Sequence, residues 1–146
     1  MSQPKTAPNS IAIAVDVPVR FAETDLMGVV HHGAYIPWLE VGRIEWLTRI
    51  GMPYTEIAAG GHHFSVTGIT MQYRASTTFG DTVRVVTRLA HLRSRQVSFD
   101  YELFNAATDQ LLATGRSDHI CVDLAGRMAK IPQEVLDRIT AGGLVD

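Results

Sequence analysis

The feature that most constrains this chain is the segment from Ala34 to Ile50, which reads as a helix with more apolar surface than a one-sided surface helix can carry. Ile36, Leu39, Ile44, Leu47 and Ile50 recur at three- to five-residue intervals, while Trp38, Val41 and Trp46 widen the stripe around the cylinder. Pro37 is compatible with a helix only in the first turn, where its missing N–H has no helical partner, and Gly51 followed by Pro53 marks the stop. Glu40 with Arg43, and Glu45 with Arg49, are spaced to pair on the remaining solvated strip. A helix of this kind must be covered by another layer.

The rest of the chain supplies that layer. Ile11, Ile13, Val15, Val17, Val19 and Phe21 alternate with other residues, the period of a strand with one buried face. Strand-like segments follow near His63–Tyr73, Thr82–His91, Gln96–Phe104 and Leu111–Val122, after a short helical turn at Tyr54–Ala59. Gly80-Asp81, Arg93-Ser94 and the stretch from Asn105 to Gln110 separate the last four at hairpin spacing, which predicts an antiparallel meander. Pro132 and Glu134 open a terminal helix. The expectation is an α+β architecture with a curved antiparallel sheet around one long helix, a single domain over residues 11–146 and a flexible segment over residues 1–10.

Charge and composition exclude some functions without naming one. Thirteen Lys+Arg against fifteen Asp+Glu give a formal charge of −2 with no basic run, so nucleic acid is not an expected partner. No stretch approaches the roughly 18 apolar residues of a membrane-spanning helix, and the amino-terminal segment lacks a signal-peptide core. With one cysteine, Cys121, no intrachain disulfide can form, and the expected location is cytoplasmic. Neither a His-x-x-x-His pair nor a cysteine cluster points to a metal.

The stretch Val19-Arg20-Phe21-Ala22-Glu23-Thr24-Asp25-Leu26-Met27-Gly28-Val29-Val30-His31-His32-Gly33-Ala34-Tyr35 resembles the signature of the 4-hydroxybenzoyl-CoA thioesterase-like and YbgC-like enzymes of the hotdog fold. Thr24 to His32 match an aspartate in a Thr-Asp context, then a glycine, two branched apolar residues and a pair of ring-bearing residues leading into the long helix. Arg43-Ile44-Glu45-Trp46-Leu47 and the order of strands also match, over roughly residues 15 to 135. One departure is Phe21, where YbgC-like members often carry a tyrosine. The resemblance implies the hotdog fold, acyl-CoA thioester hydrolysis without a further cofactor, and a homodimer or homotetramer with active sites between subunits.

Thioester hydrolysis needs a carboxylate, as nucleophile or as base toward water, and donors for the oxyanion. Asp25 fits either carboxylate role, and its other reading is a helix or turn cap. By resemblance, His32 lies near the thioester carbonyl, contributing its backbone N–H or its imidazole. The Val30 to Gly33 backbone, with His31, is then part of the substrate site. In extended chain, His31 points away from His32. Tyr35, Trp38 and Trp46 fit an acyl pocket or ordinary core, and Arg93 and Arg95 fit either coenzyme A phosphates or a solvated turn. Two other functions remain open. A hydratase or dehydratase on acyl thioesters would use His62 or His63, and a non-catalytic acyl-CoA-binding protein would keep the pocket without turnover.

Overall fold

The computed structural model describes residues 10–144. The expected flexible segment therefore lies outside the described residues except for Ser10. That residue is fixed: its Oγ accepts the Leu89 N–H at 2.8 Å, and it bridges to Leu144.

Alternation of apolar and polar residues produces five strands: β1 (Ile13–Pro18), β2 (His62–Tyr73), β3 (Thr82–Leu92), β4 (Gln96–Asn105) and β5 (Leu111–Asp123). They form one antiparallel sheet in the order β1-β3-β4-β5-β2. Three helices complete it: α1 (Tyr35–Arg49), α2 (Tyr54–Ala59) and α3 (Gln133–Gly143). This is the hotdog arrangement, with α1 laid against one face of the sheet.

Period-two patterning sends Val83, Val85, Thr87 and Leu89 of β3, and Val97, Phe99, Tyr101 and Leu103 of β4, into the core with Trp38, Leu39, Trp46 and Leu47 of α1. Gly42 sets how closely α1 approaches. A Cβ there would lie 2.5 Å from Thr87 Oγ1 and 2.8 Å from Val85 Cγ1, so only glycine fits between helix and sheet. The opposite face of the sheet is charged, crossed by the pairs Arg84–Asp16, Arg88–Glu102 and Arg116–Asp118.

Four expectations are corrected. Phe21 does not continue the first strand: the chain turns into a 3-10 turn at Phe21–Glu23, where the Thr24 N–H donates to Phe21 O, and the Phe21 ring is exposed against Phe79. A second 3-10 turn, His32–Ala34, precedes α1, so the α-helix starts at Tyr35. The sheet covers α1 less fully than its composition requires, leaving Ile36 and Val41 about two-fifths exposed (40 % and 42 %). Glu45 and Arg49 pair at 2.9 Å, whereas Arg43 turns inward to the Tyr101 hydroxyl at 3.4 Å and forms no ion pair with Glu40 among the described residues.

Candidate active site

Between β1 and α1 the chain makes one connection, from Arg20 to Ala34, and its hydrogen bonds place nearly every group in it. The Asp25 N–H donates to Val29 O and the Gly28 N–H to Asp25 O, closing a tight turn that Gly28 permits at φ +81°. The Asp25 side chain takes part: Oδ1 accepts the Met27 N–H at 2.8 Å. Asp25 therefore does cap a turn, as one sequence reading allows, but with one oxygen only. Its Oδ2 has no partner among the described residues, and the carboxyl is exposed.

The N–H groups expected to face an oxyanion are not equally free. Val30 donates to Thr77 O at 2.9 Å, His31 to Glu23 O at 2.8 Å, and Gly33 to Nδ1 of His31 at 3.0 Å. Only the His32 N–H, at the open start of the 3-10 turn that leads into α1, has no acceptor among the described hydrogen bonds. Helix starts leave such donors unpaired, with the positive end of the helix dipole behind them. The His31 and His32 rings do not diverge: they stack at 4.5 Å and 20°, because the chain has already turned. With Nδ1 of His31 accepting a hydrogen bond, Nε2 carries the ring proton in the neutral form.

The anchors of this connection come from elsewhere in the chain. Val30 is buried, and the Thr77 carbonyl it meets belongs to a turn held by Asp81, which accepts from the Thr77 hydroxyl at 2.9 Å and the Thr78 N–H at 3.1 Å. Those bonds, the Thr78 N–H foremost and the Thr77 hydroxyl next, hold the Asp81 carboxyl below its usual range. The Tyr73 hydroxyl donates to His32 O at 2.8 Å. Tyr35 is core, packed edge-on against Trp38 and Tyr73, and its hydroxyl is pushed up first by burial and then by Tyr73. Asp25 and His31 open on a cavity of about 410 Å³ shared with Arg20, Glu23, Ala34 and Pro37.

Not every candidate lies at this end. Arg93 and Arg95 sit in the β3–β4 turn, while β3 starts beside the Asp25 connection, where Val19 donates to Asp81 O. An eleven-residue strand separates them, about 35 Å at 3.3 Å per residue. His62 and His63 begin β2 at that far end too, bonded to Gly60 O and the Tyr54 hydroxyl. Within one chain, then, neither pair meets Asp25.

Two groups escaped the sequence reading. Glu23 is only 6 % exposed, with its carboxylate bonded to the Trp38 indole at 2.9 Å. A buried polar chain also runs from Arg43 through Tyr101 and Ser117 to His119 Nε2, with links of 3.4, 2.6 and 2.8 Å. Burial, then Arg43, holds His119 down at about 4, with Asp118 opposing. Nothing in the local pattern separates these residues from solvated ones: Glu23 sits in a polar loop, and His119 only continues a strand alternation.

Comparison with known proteins agrees with the fold. The model of the thioesterase-like superfamily matches residues 19–139. YneP of Bacillus subtilis, whose name assigns it provisionally to the acyl-CoA thioesterases, is 33 % identical over 108 residues, covering 74 % of this chain and 78 % of YneP. The crystal structure of TT1821 of Thermus thermophilus superposes with a TM-score of 0.85 at 38 % identity, covering 92 % of this chain and 100 % of that one. A DHNA-CoA thioesterase of Staphylococcus aureus superposes at 0.82 with 26 % identity, covering 89 % and 91 %.

Proposed function

This chain belongs to the thioesterase-like superfamily, and from that premise we propose that it hydrolyses acyl-CoA thioesters, with Asp25 as the reacting carboxylate and the His32 N–H as oxyanion donor. One observation carries the reading. A single connection holds a carboxylate with one unengaged oxygen and, at the start of the helical turns, the one N–H from Val30 to Gly33 that has no acceptor among the described residues.

Two routes use this geometry. As nucleophile, an Asp25 oxygen adds to the thioester carbonyl, the C–S bond breaks, and coenzyme A leaves as a thiolate that takes a proton from water. Water then cleaves the resulting anhydride to the free acid and restores the carboxylate. As base, Asp25 takes a proton from water while the water oxygen adds to the same carbon, and that proton passes to the departing thiolate. Either route places negative charge on the carbonyl oxygen, where a fixed N–H stabilises it without reorganisation. No cofactor beyond the substrate's own coenzyme A enters either route.

We also place the working enzyme in at least a homodimer. β2 stands at the sheet edge, and its Val66, Ile69 and Tyr73 are 47 %, 37 % and 46 % exposed, an apolar strip beside an open row of backbone groups. Antiparallel pairing of two β2 strands covers both. It also brings the far end of the partner's sheet, with the partner subunit's Arg93 and Arg95, beside the Asp25 end of the first. Coenzyme A phosphates would then meet arginines supplied across the interface.

The test is release of coenzyme A from benzoyl, hydroxybenzoyl, phenylacetyl, short-chain and long-chain esters by the wild type and a folded Asp25→Asn variant. Turnover of at least one ester is expected, with a loss of about a hundredfold or more in the variant, the scale for a group acting on protons or charge in the transition state. Equal rates for the two proteins would refute the role of Asp25. Binding of esters without turnover by the wild type would refute the hydrolase.

A further inference from the structure

We propose that Glu23 is a positioning residue for this reaction: its buried carboxylate clamps the Asp25 connection to α1 and thereby fixes the distance between the Asp25 carboxylate and the His32 N–H. The inference rests on the thioesterase reading above and names a residue that neither touches substrate nor moves a proton.

Glu23 bonds in three directions at once. Oε1 accepts the Arg20 N–H at 2.8 Å, and Oε2 accepts the indole N–H of Trp38, on α1, at 2.9 Å. The main-chain carbonyl accepts the His31 N–H at 2.8 Å. Asp25 follows Glu23 by two residues, and His32 follows His31 directly, so one residue ties both reacting positions to the helix. The side chain is 6 % exposed and Trp38 2 %. The Arg20 guanidinium, 3.5 Å away with its side chain 73 % exposed, adds little in solvent.

A carboxylate is required by the donor count. Two N–H groups each take one oxygen of the carboxylate, the Trp38 bond buried and the Arg20 bond partly so. Glutamine has one acceptor and one NH2, so in either orientation its NH2 faces an N–H and one donor is left unpaired. The expected consequence is a loosened connection, and positioning errors near 1 Å cost about a hundredfold in rate.

The experiment compares wild type, Asp25→Asn, Glu23→Gln, Trp38→Phe and the Glu23→Gln/Trp38→Phe double variant. It measures kcat with an ester the wild type turns over, and Kd for its non-hydrolysable thioether analogue, below the melting temperature of each protein. Glu23→Gln and Trp38→Phe should each lower kcat by about tenfold or more while the analogue Kd stays within about threefold. Because Trp38→Phe removes one of the two donors that compete for the single oxygen of glutamine, the two losses should not add, and the double variant should fall no more than about twofold below the worse single one. Either single variant keeping kcat within about twofold of wild type, while Asp25→Asn is inactive, overturns the positioning role and leaves the thioesterase reading intact. Matching losses in kcat and analogue affinity also overturn it, since they report general loosening. An inactive wild type, or an active Asp25→Asn, instead removes the reading on which the proposal rests.

Discussion

Replacing His119 should abolish most of the pH dependence of stability between neutrality and pH 4. The ring is 1 % exposed, bonded through Nε2 to Ser117 Oγ at 2.8 Å, with Nδ1 unpartnered. Burial, then Arg43, lowers its folded pKa from 6.5 to about 4, with Asp118 partly opposing. The unfolded chain therefore takes up a proton as pH falls through 6.5, while the folded chain stays neutral until about 4. Stability is complete above 6.5, declines across that window and levels off below it. A difference of two to three pH units at 1.36 kcal/mol each gives a loss of about 2 kcal/mol between pH 7 and 5, rising to about 3 kcal/mol by pH 4. Asp81 and Asp118, both held below 3.8, act beneath this window.

Urea unfolding followed by tryptophan fluorescence, at half-unit steps from pH 7 to 4.5, measures the effect. His119→Gln keeps a group able to bond Ser117 and does not titrate, so its stability curve should be flatter than wild type by that amount. The other five histidines, common to both proteins, cancel in the difference. Parallel curves would refute the reasoning and mean that His119 gains its proton in the folded state as readily as in the unfolded one.

Two further perturbations test the packing and the shared site. Gly42→Ala places a methyl 2.5 Å from Thr87 Oγ1 and should cost about 1–3 kcal/mol by the same unfolding assay, the usual range for overpacking; an unchanged midpoint would mean that α1 lifts from the sheet freely. An Arg93→Glu/Arg95→Glu variant should show a raised KM for acyl-CoA and an unchanged KM for the same acyl group on N-acetylcysteamine, which lacks phosphates. Mixing it with Asp25→Asn should restore activity, because mixed dimers contain one site with both intact parts. Absence of restoration, with subunit exchange verified, would place the arginines outside the site of the partner.

Much of this was legible in the residues because it is local. Alternation in β2 to β5 and their turn residues marked the strands to within a residue or two at most ends, since a pleated strand with one buried face has period two whatever it packs against. The resemblance carried by residues 19–35 implies Asp25 and His32 as candidates from the residues alone. It could not say which of four N–H groups remains free, because three acceptors, Thr77 O, Glu23 O and His31 Nδ1, are brought in by the folded chain.

Local patterning carries the five strands, the three helices and their order, but not the two 3-10 turns before the long helix. Burial of Glu23 under Trp38, the inward turn of Arg43 to Tyr101 and the strand's length between Asp25 and the pair Arg93 and Arg95 all arise from long-range packing. The physical reason is range. Periodicity and capping act over a few residues, whereas burial of a charge, or the distance between two side chains, depends on contacts many residues apart. Glu23 meets Trp38 across 15 positions and Arg43 meets Tyr101 across 58, separations at which the order of residues records no geometry.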